Sequence, residues 1–178
     1  MSDSAGAVAA NVTALRCVTI EILNLTDGFY MLDPKVFLES GEMFDPPQPT
    51  VKRLKTEVCT FTKNIALATG SVGVLTYDLF DKTSNDENLA IMFSVPWDNI
   101  LYKNWFAVGI FPRSRACDES LYKEMYYNSQ NGFVREEANG SSITYMGDHL
   151  IVKATMSPVG RAIMKVEVWD KVVVPATK

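Results

Sequence analysis

Leu89-Ala90-Ile91-Met92-Phe93-Ser94-Val95-Pro96-Trp97 is the stretch on which the fold turns. It is too short for a helix of ordinary length and is closed by proline. Leu89 to Val95 reads as a strand buried on both faces or set at the centre of a sheet. Working outward, Tyr102 lies in a loop and Trp105 to Phe111 reads as the next strand. A short basic loop follows at Arg113-Ser114-Arg115, and Asp118 is placed to cap a helix running to about Asn128. On that helix Leu121 and Met125 are four apart and can face a core, while Tyr122 and Tyr126 form the adjoining stripe.

Period-two alternation appears on both sides of this block. Val18, Ile20 and Ile22 share one face of a strand beginning near Arg16. Phe29 to Leu32 and Val36 to Leu38 read as short strands broken at Asp33-Pro34. Ser40-Gly41 and Asp45-Pro46-Pro47-Gln48-Pro49 read as loop, because proline cannot sit inside a ladder. Lys55 to Thr62 is a strand, and Ala66 to Phe80 a longer one in which Gly70 and Gly73 suggest a bulge or close backbone approach. After an Asn131-Gly132 turn come strands at Phe133 to Glu136, Ser142 to Met146, Leu150 to Met156 and Ala162 to Trp169, with a last one at Val172 to Val174. About ten short strands with regular turn signals and one clear helix predict an all-β sandwich. The predicted organisation is a short flexible tail over 1–15, either helix capped by Ser4 or loose, and one sandwich domain over 16–178.

The 178 residues suffice for one sizeable core. A net charge of −4 argues against a nucleic-acid partner, because phosphate binding needs clustered lysine and arginine. Cys17, Cys59 and Cys117 are odd in number and widely spaced, so they read as buried free thiols. Sequons occur at Asn11, Asn24 and Asn139 and matter only in a secreted chain. The N-terminus lacks a basic start followed by a long apolar region, and no apolar run reaches bilayer length. The expectation is a soluble protein without a leader, cytosolic or exported by another route, that acts at a target-cell membrane.

No enzyme is expected. His149 is the single histidine, and triads and metal sites need it partnered. The chain shows no phosphate loop and no nucleophile elbow, and neither metal nor cofactor is expected. The tyrosines carry the best signal. Tyr102, Tyr122, Tyr126 and Tyr127 can serve as amphipathic cover for the core or as a cage for a quaternary ammonium. In the second reading Ser94 and the phenols bond a phosphate oxygen, and Arg113 and Arg115 add charge. Phosphocholine is the ligand that such a site suits.

Phe93-Ser94-Val95-Pro96-Trp97-Asp98, Tyr102-Lys103-Asn104-Trp105-Phe106 and Leu121-Tyr122-Lys123-Glu124-Met125-Tyr126-Tyr127 closely resemble the actinoporins, the sea-anemone pore-forming cytolysins. Weaker similarity runs from about Arg16 to Val168. The resemblance implies a β-sandwich flanked by helices that recognises sphingomyelin and oligomerises on membranes. Carried over by position, its phosphocholine pocket comprises Ser40, Val72, Ser94, Pro96, Tyr102, Tyr122, Tyr126 and Tyr127, and its membrane-contact loop Trp97, Leu101 and Trp105. Three positions depart from the family pattern. Asn99-Ile100-Leu101 lacks the family's tryptophan before Tyr102, Glu39 replaces an arginine, and Gln130 stands where an Arg-Gly-Asp motif is usual. Fifteen residues precede Arg16 and as a helix would reach about 22 Å, short of a ~30 Å hydrocarbon core, so weak perforation is expected. A second reading of the same platform is a lectin-like module in which tyrosine and tryptophan stack on glycans.

Overall fold

The computed structural model describes residues 4–83, 86–128 and 132–172. Among these, twelve strands form two six-stranded sheets packed face to face, flanked by two helices. The strands are β1 (Cys17–Leu25), β2 (Tyr30–Ser40), β3 (Glu42–Asp45), β4 (Thr50–Val51), β5 (Thr56–Thr62) and β6 (Ser71–Phe80), then β7 (Glu87–Val95), β8 (Trp105–Pro112), β9 (Phe133–Glu137), β10 (Ile143–Met146), β11 (Leu150–Met156) and β12 (Arg161–Asp170). The helices are α1 (Ala5–Ala9) and α2 (Glu119–Tyr127). One sheet has the order β10-β11-β12-β1-β5-β3 and the other β4-β2-β6-β7-β8-β9. All pairings are antiparallel except β1 with β12, which run parallel from Cys17↔Arg161 to Leu25↔Trp169.

The apolar run occupies β7, between β6 and β8. Alternation explains why it is apolar throughout. Leu89, Ile91, Phe93 and Val95 enter the core between the sheets. Ala90 and Met92 point the other way, into a second cluster with Leu121, Tyr122 and Met125 of α2. The helix ends where the sequence places them. Asp118 Oδ1 accepts from the Leu121 N–H, and Asn128 closes the helix. Replacing Asp118→Ala is expected to cost about 1 kcal/mol of stability, read as a lower urea midpoint at unchanged slope.

The structure revises several expectations. Phe29 lies outside the ladder, and Tyr30 to Leu38 is not two strands but part of a single β2, which absorbs Asp33-Pro34 in a register shift between Leu32 and Lys35. A bulge lets proline stay in a ladder without donating. Ala66 to Gly70 is a loop, and the strand starts at Ser71. Gly73 is a close approach as expected, since a Cβ there would lie 2.4 Å from the Phe37 carbonyl oxygen. Ser40 ends β2 and Asp45 ends β3, two positions expected as loop, and β3 and β4 border the rest of the proline-rich loop. Val172 lies beyond the last strand, and the rest of the suggested Val172–Val174 strand is outside the described residues, as is Asn131 of the Asn131-Gly132 turn. Of the two readings of the N-terminal segment, the helix occurs. Ser4 caps it, Ala5 and Val12 are buried, and the Arg161 guanidinium donates to the Val12 carbonyl.

Candidate functional site

α2 lies on the outer face of the β4-β2-β6-β7-β8-β9 sheet because Leu121 and Met125 are apolar and one turn apart. That anchoring turns the tyrosine stripe sideways. The Tyr122 ring sits 6.3 Å from Phe37 of β2 and 5.6 Å from Tyr126, and Tyr126 meets Tyr127 edge-on at 4.8 Å. The three rings are graded in depth. Tyr122 is 5% exposed, Tyr126 half-buried and Tyr127 69% exposed. Burial pushes the Tyr122 phenol well above its usual range, helped by Tyr126, Tyr127 and Glu39, so it remains a neutral hydroxyl donor at physiological pH.

Ser40, Val72 and Ser94 form one cross-strand row over β2, β6 and β7, continued by Trp105 on β8. Neighbours in such a row stand about 5 Å apart, so the three form one patch. Val72 belongs to the same packed cluster as Tyr122. The helix advances toward this row. Just before it, the Cys117 thiol donates to the Lys35 and Val74 carbonyls; further on, Tyr122 meets Phe37. Tyr126 packs against the same cluster as Val72, and Tyr127 lies beyond it in contact with the Tyr126 ring. Pro96 is half-buried just past the end of β7.

Tyr102 stands on the loop between β7 and β8. It is 61% exposed and, among the described residues, makes no ring contact with the α2 tyrosines. It lines a pocket of about 300 Å³ with Asn99, Lys103, Asn104, Glu137 and Asn139. Its loop is held by Asp98, whose carboxylate accepts from the Ile100 and Leu101 N–H groups at 2.9 Å each. This turn leaves Ile100 91% exposed, with Leu101 beside it. The flanking tryptophans are covered by cations. Arg16 and Lys63 lie 5.5 and 5.7 Å from the Trp97 ring, and Arg135 lies 4.2 Å from the Trp105 ring.

Strand register collects further apolar residues at the same pole. Cys17 pairs with Thr62 and with Arg161, so the chain before Cys17, after Thr62 and before Arg161 emerges together. The Arg16 Nε–H donates to the Trp97 carbonyl and ties in the loop after β7. Leu15, Ile65, Leu67 and Val159 are exposed there alongside Ile100 and Leu101. Sequence reasoning missed Ile65, Leu67, Ile100 and Val159 as site residues. Their one signal is that large apolar side chains stand in polar loops.

The arginine reading is corrected. Arg113 is paired with Asp78 at 3.3 Å and Arg115 with Glu124 at 2.6 Å. Both lie at the far end of β8 from the Ser94↔Trp105 pair, so neither supplies charge to the tyrosines. Cys17 and Cys59 are buried free thiols as expected, whereas Cys117 is half-buried. Burial pushes all three up, which disfavours the reactive thiolate.

Three comparisons bear on identity. A family model described as sea anemone cytotoxic protein matches residues 48–170. DELTA-stichotoxin-Hcr4a of Radianthus crispa is 37% identical over 101 residues, which is 56% of this chain and 53% of the relative. DELTA-actitoxin-Aeq1a of Actinia equina is 37% identical over 102 residues, 57% of this chain and 44% of the relative. Cytolysin tenebrosin-B of Actinia tenebrosa is 33% identical over 107 residues, with the same two shares. The chain thus spans about half the length of the curated relatives it matches. Among solved structures, the lipid binding protein Nakanori superposes with a TM-score of 0.70 at 14% identity, over 94% of this chain and 77% of that one, and so shares the fold. With the family model covering well over half of its residues, this chain belongs to the sea anemone cytotoxic proteins, the actinoporins.

Proposed function

We propose that this protein binds membranes displaying phosphocholine, with sphingomyelin as the lipid, and assembles there into a pore. The observation that supports the reading is the ring-contact chain Tyr122–Tyr126–Tyr127, whose first member shares a packed cluster with Val72 of the Ser40-Val72-Ser94 row. Aromatic faces attract a quaternary ammonium by about 0.5–2 kcal/mol per contact. The neutral phenols and the serine hydroxyls supply donors for the phosphate, and Val72 and Pro96 form the apolar floor. The exposed Leu101, with Ile100 beside it, enters the interface, and Trp97 and Trp105 brace the loop at head-group depth. Tyr102 belongs to the same pole and meets the lipid surface from that loop. Membership of a cytotoxic family, with a cytolysin among the relatives, supports the pore.

Flotation with vesicles tests the reading. Sphingomyelin vesicles are expected to carry the protein to the top of the gradient, choline-free phosphatidylethanolamine vesicles to leave it behind, and soluble phosphocholine to release it. Equal recovery from both vesicle types sinks the lipid role. Dye release from the sphingomyelin vesicles then reports assembly; binding without release removes the pore and keeps the head-group site.

A further inference from the structure

The opposite end of the sandwich carries charge where the first carries apolar loops. Leu23 pairs with Thr56 and Tyr30 with Phe80, so the turns before β5, before β2 and after β6 meet at the end away from Trp97. The turn before β5 is basic: Val51-Lys52-Arg53-Leu54-Lys55-Thr56. It is tightly folded, since the Lys55 N–H donates to the Lys52 carbonyl at 3.2 Å and Leu54 takes a φ of 59°. Lys52 and Lys55 are exposed and make no ion pair among the described residues. Arg53 lies over the Tyr30 ring at 5.2 Å and donates from Nη1 to the Asp27 carbonyl at 2.7 Å. Those contacts fix the guanidinium and leave its charge unneutralised. Two hollows of about 370 and 330 Å³ share Arg53 and Tyr30 as a common wall. Lys82 lines the first with Asp81, and Lys52 and Lys55 line the second with Asp27. Four cations against two carboxylates make this end locally positive on a chain of net charge −4.

We infer that the paired hollows bind a linear sulfated polysaccharide of the heparin class. Short runs dense in lysine and arginine are the sequence form of such sites. Sulfate esters accept charge-assisted hydrogen bonds from the ammonium groups of Lys52, Lys55 and Lys82 and from the free N–H groups of Arg53. Sugar hydroxyls donate to the Asp27 and Asp81 carboxylates, which repel a polyanion that has no donor to offer, such as a bare phosphate chain. Phe80 and Leu54, 39% and 65% exposed, give each hollow an apolar edge for the C–H face of a sugar ring. Each volume is at the low end of small-molecule sites and suits one sugar unit, so a linear chain crosses the Arg53–Tyr30 wall from one hollow to the other. Arg113 and Arg115, at the same end, are neutralised by Asp78 and Glu124 and add nothing. The site does not rest on the phosphocholine reading. A molecule seated on a membrane by its apolar loops would turn this end away from the bilayer, toward the polysaccharide coat above it.

Chromatography on immobilised heparin tests the inference. The protein is expected to be retained at low salt and released as salt rises, because exposed charge contacts are screened, and to pass through a column of desulfated heparin. Lys52→Ala with Lys55→Ala is expected to weaken binding of a heparin oligosaccharide by about fivefold to tenfold, with the melting temperature unchanged. Lys153→Ala with Lys165→Ala removes the same charge from β11 and β12 and should leave that affinity as it is. The loop variant should float with sphingomyelin vesicles as the wild type does, so failure of this site and failure of the head-group reading are told apart. Equal weakening by the two double variants would mean that net charge alone acts, and overturns the inference. So does passage of the wild type through the heparin column; phosphatidylserine vesicles that then capture it, but not the loop variant, would name an anionic membrane as the occupant instead.

Discussion

Tyr126→Ala is expected to weaken capture on sphingomyelin vesicles by about tenfold, and Tyr126→Ala with Tyr127→Ala by about a hundredfold. Each ring face contributes ~0.5–2 kcal/mol toward a quaternary ammonium, and 1.4 kcal/mol is about a factor of ten. Tyr126 is the middle ring, 5.6 Å from one neighbour and 4.8 Å from the other. Tyr126→Phe keeps the ring and removes one hydroxyl, and is expected to cost about fivefold. Neither Tyr126 nor Tyr127 is fully buried, so the melting temperature should move little. Tyr122→Ala is a poorer test, because Tyr122 is also core and its loss would unseat α2. A double variant that binds as the wild type does would show that the rings cover the sheet and bind nothing.

Phe93→Ala is expected to have the largest effect on stability, about 3–5 kcal/mol. Phe93 lies at the middle of the run that decides the fold, and its ring stacks on Phe61 of the facing sheet at 4.8 Å and 21°. Both rings are completely buried. The truncation removes the contact that joins the sheets and leaves a cavity that the strands cannot close. For a chain of this size about 2–4 °C accompanies each kcal/mol, so the melting temperature should fall by roughly 6–20 °C. Phe44→Ala, at an exposed site on β3, should change stability by no more than about 0.5 kcal/mol. A loss below about 1 kcal/mol at Phe93 would mean that the inner faces are not close-packed there.

Much of the molecule was legible in advance. The all-apolar run marked a central strand because one face meets the facing sheet and the other meets α2. Both limits of α2 were readable because capping is a local hydrogen bond between residues three apart. Leu121 and Met125 were placed on the core side, and Tyr122 and Tyr126 together, by helical spacing alone. Errors fell where a local signal competed with pairing. Asp33-Pro34 looked like a break, yet β6 pairs with β2 on both sides of it and holds the strand together. Ala66 to Gly70 looked like strand by composition but has no partner in either sheet.

The amino-acid sequence by itself determined the sandwich and the tyrosine helix, because alternation, helical spacing and caps are set by near neighbours; the family was legible only through the likeness of three of its segments to the actinoporins. Only the tertiary structure decided that Asp78 and Glu124 neutralise the two loop arginines and that scattered loop apolars share one pole. Those outcomes depend on strand register and on contacts such as Arg16 to Trp97, 81 residues apart. No periodicity in a chain specifies which distant segments will face each other; packing of the two sheets does.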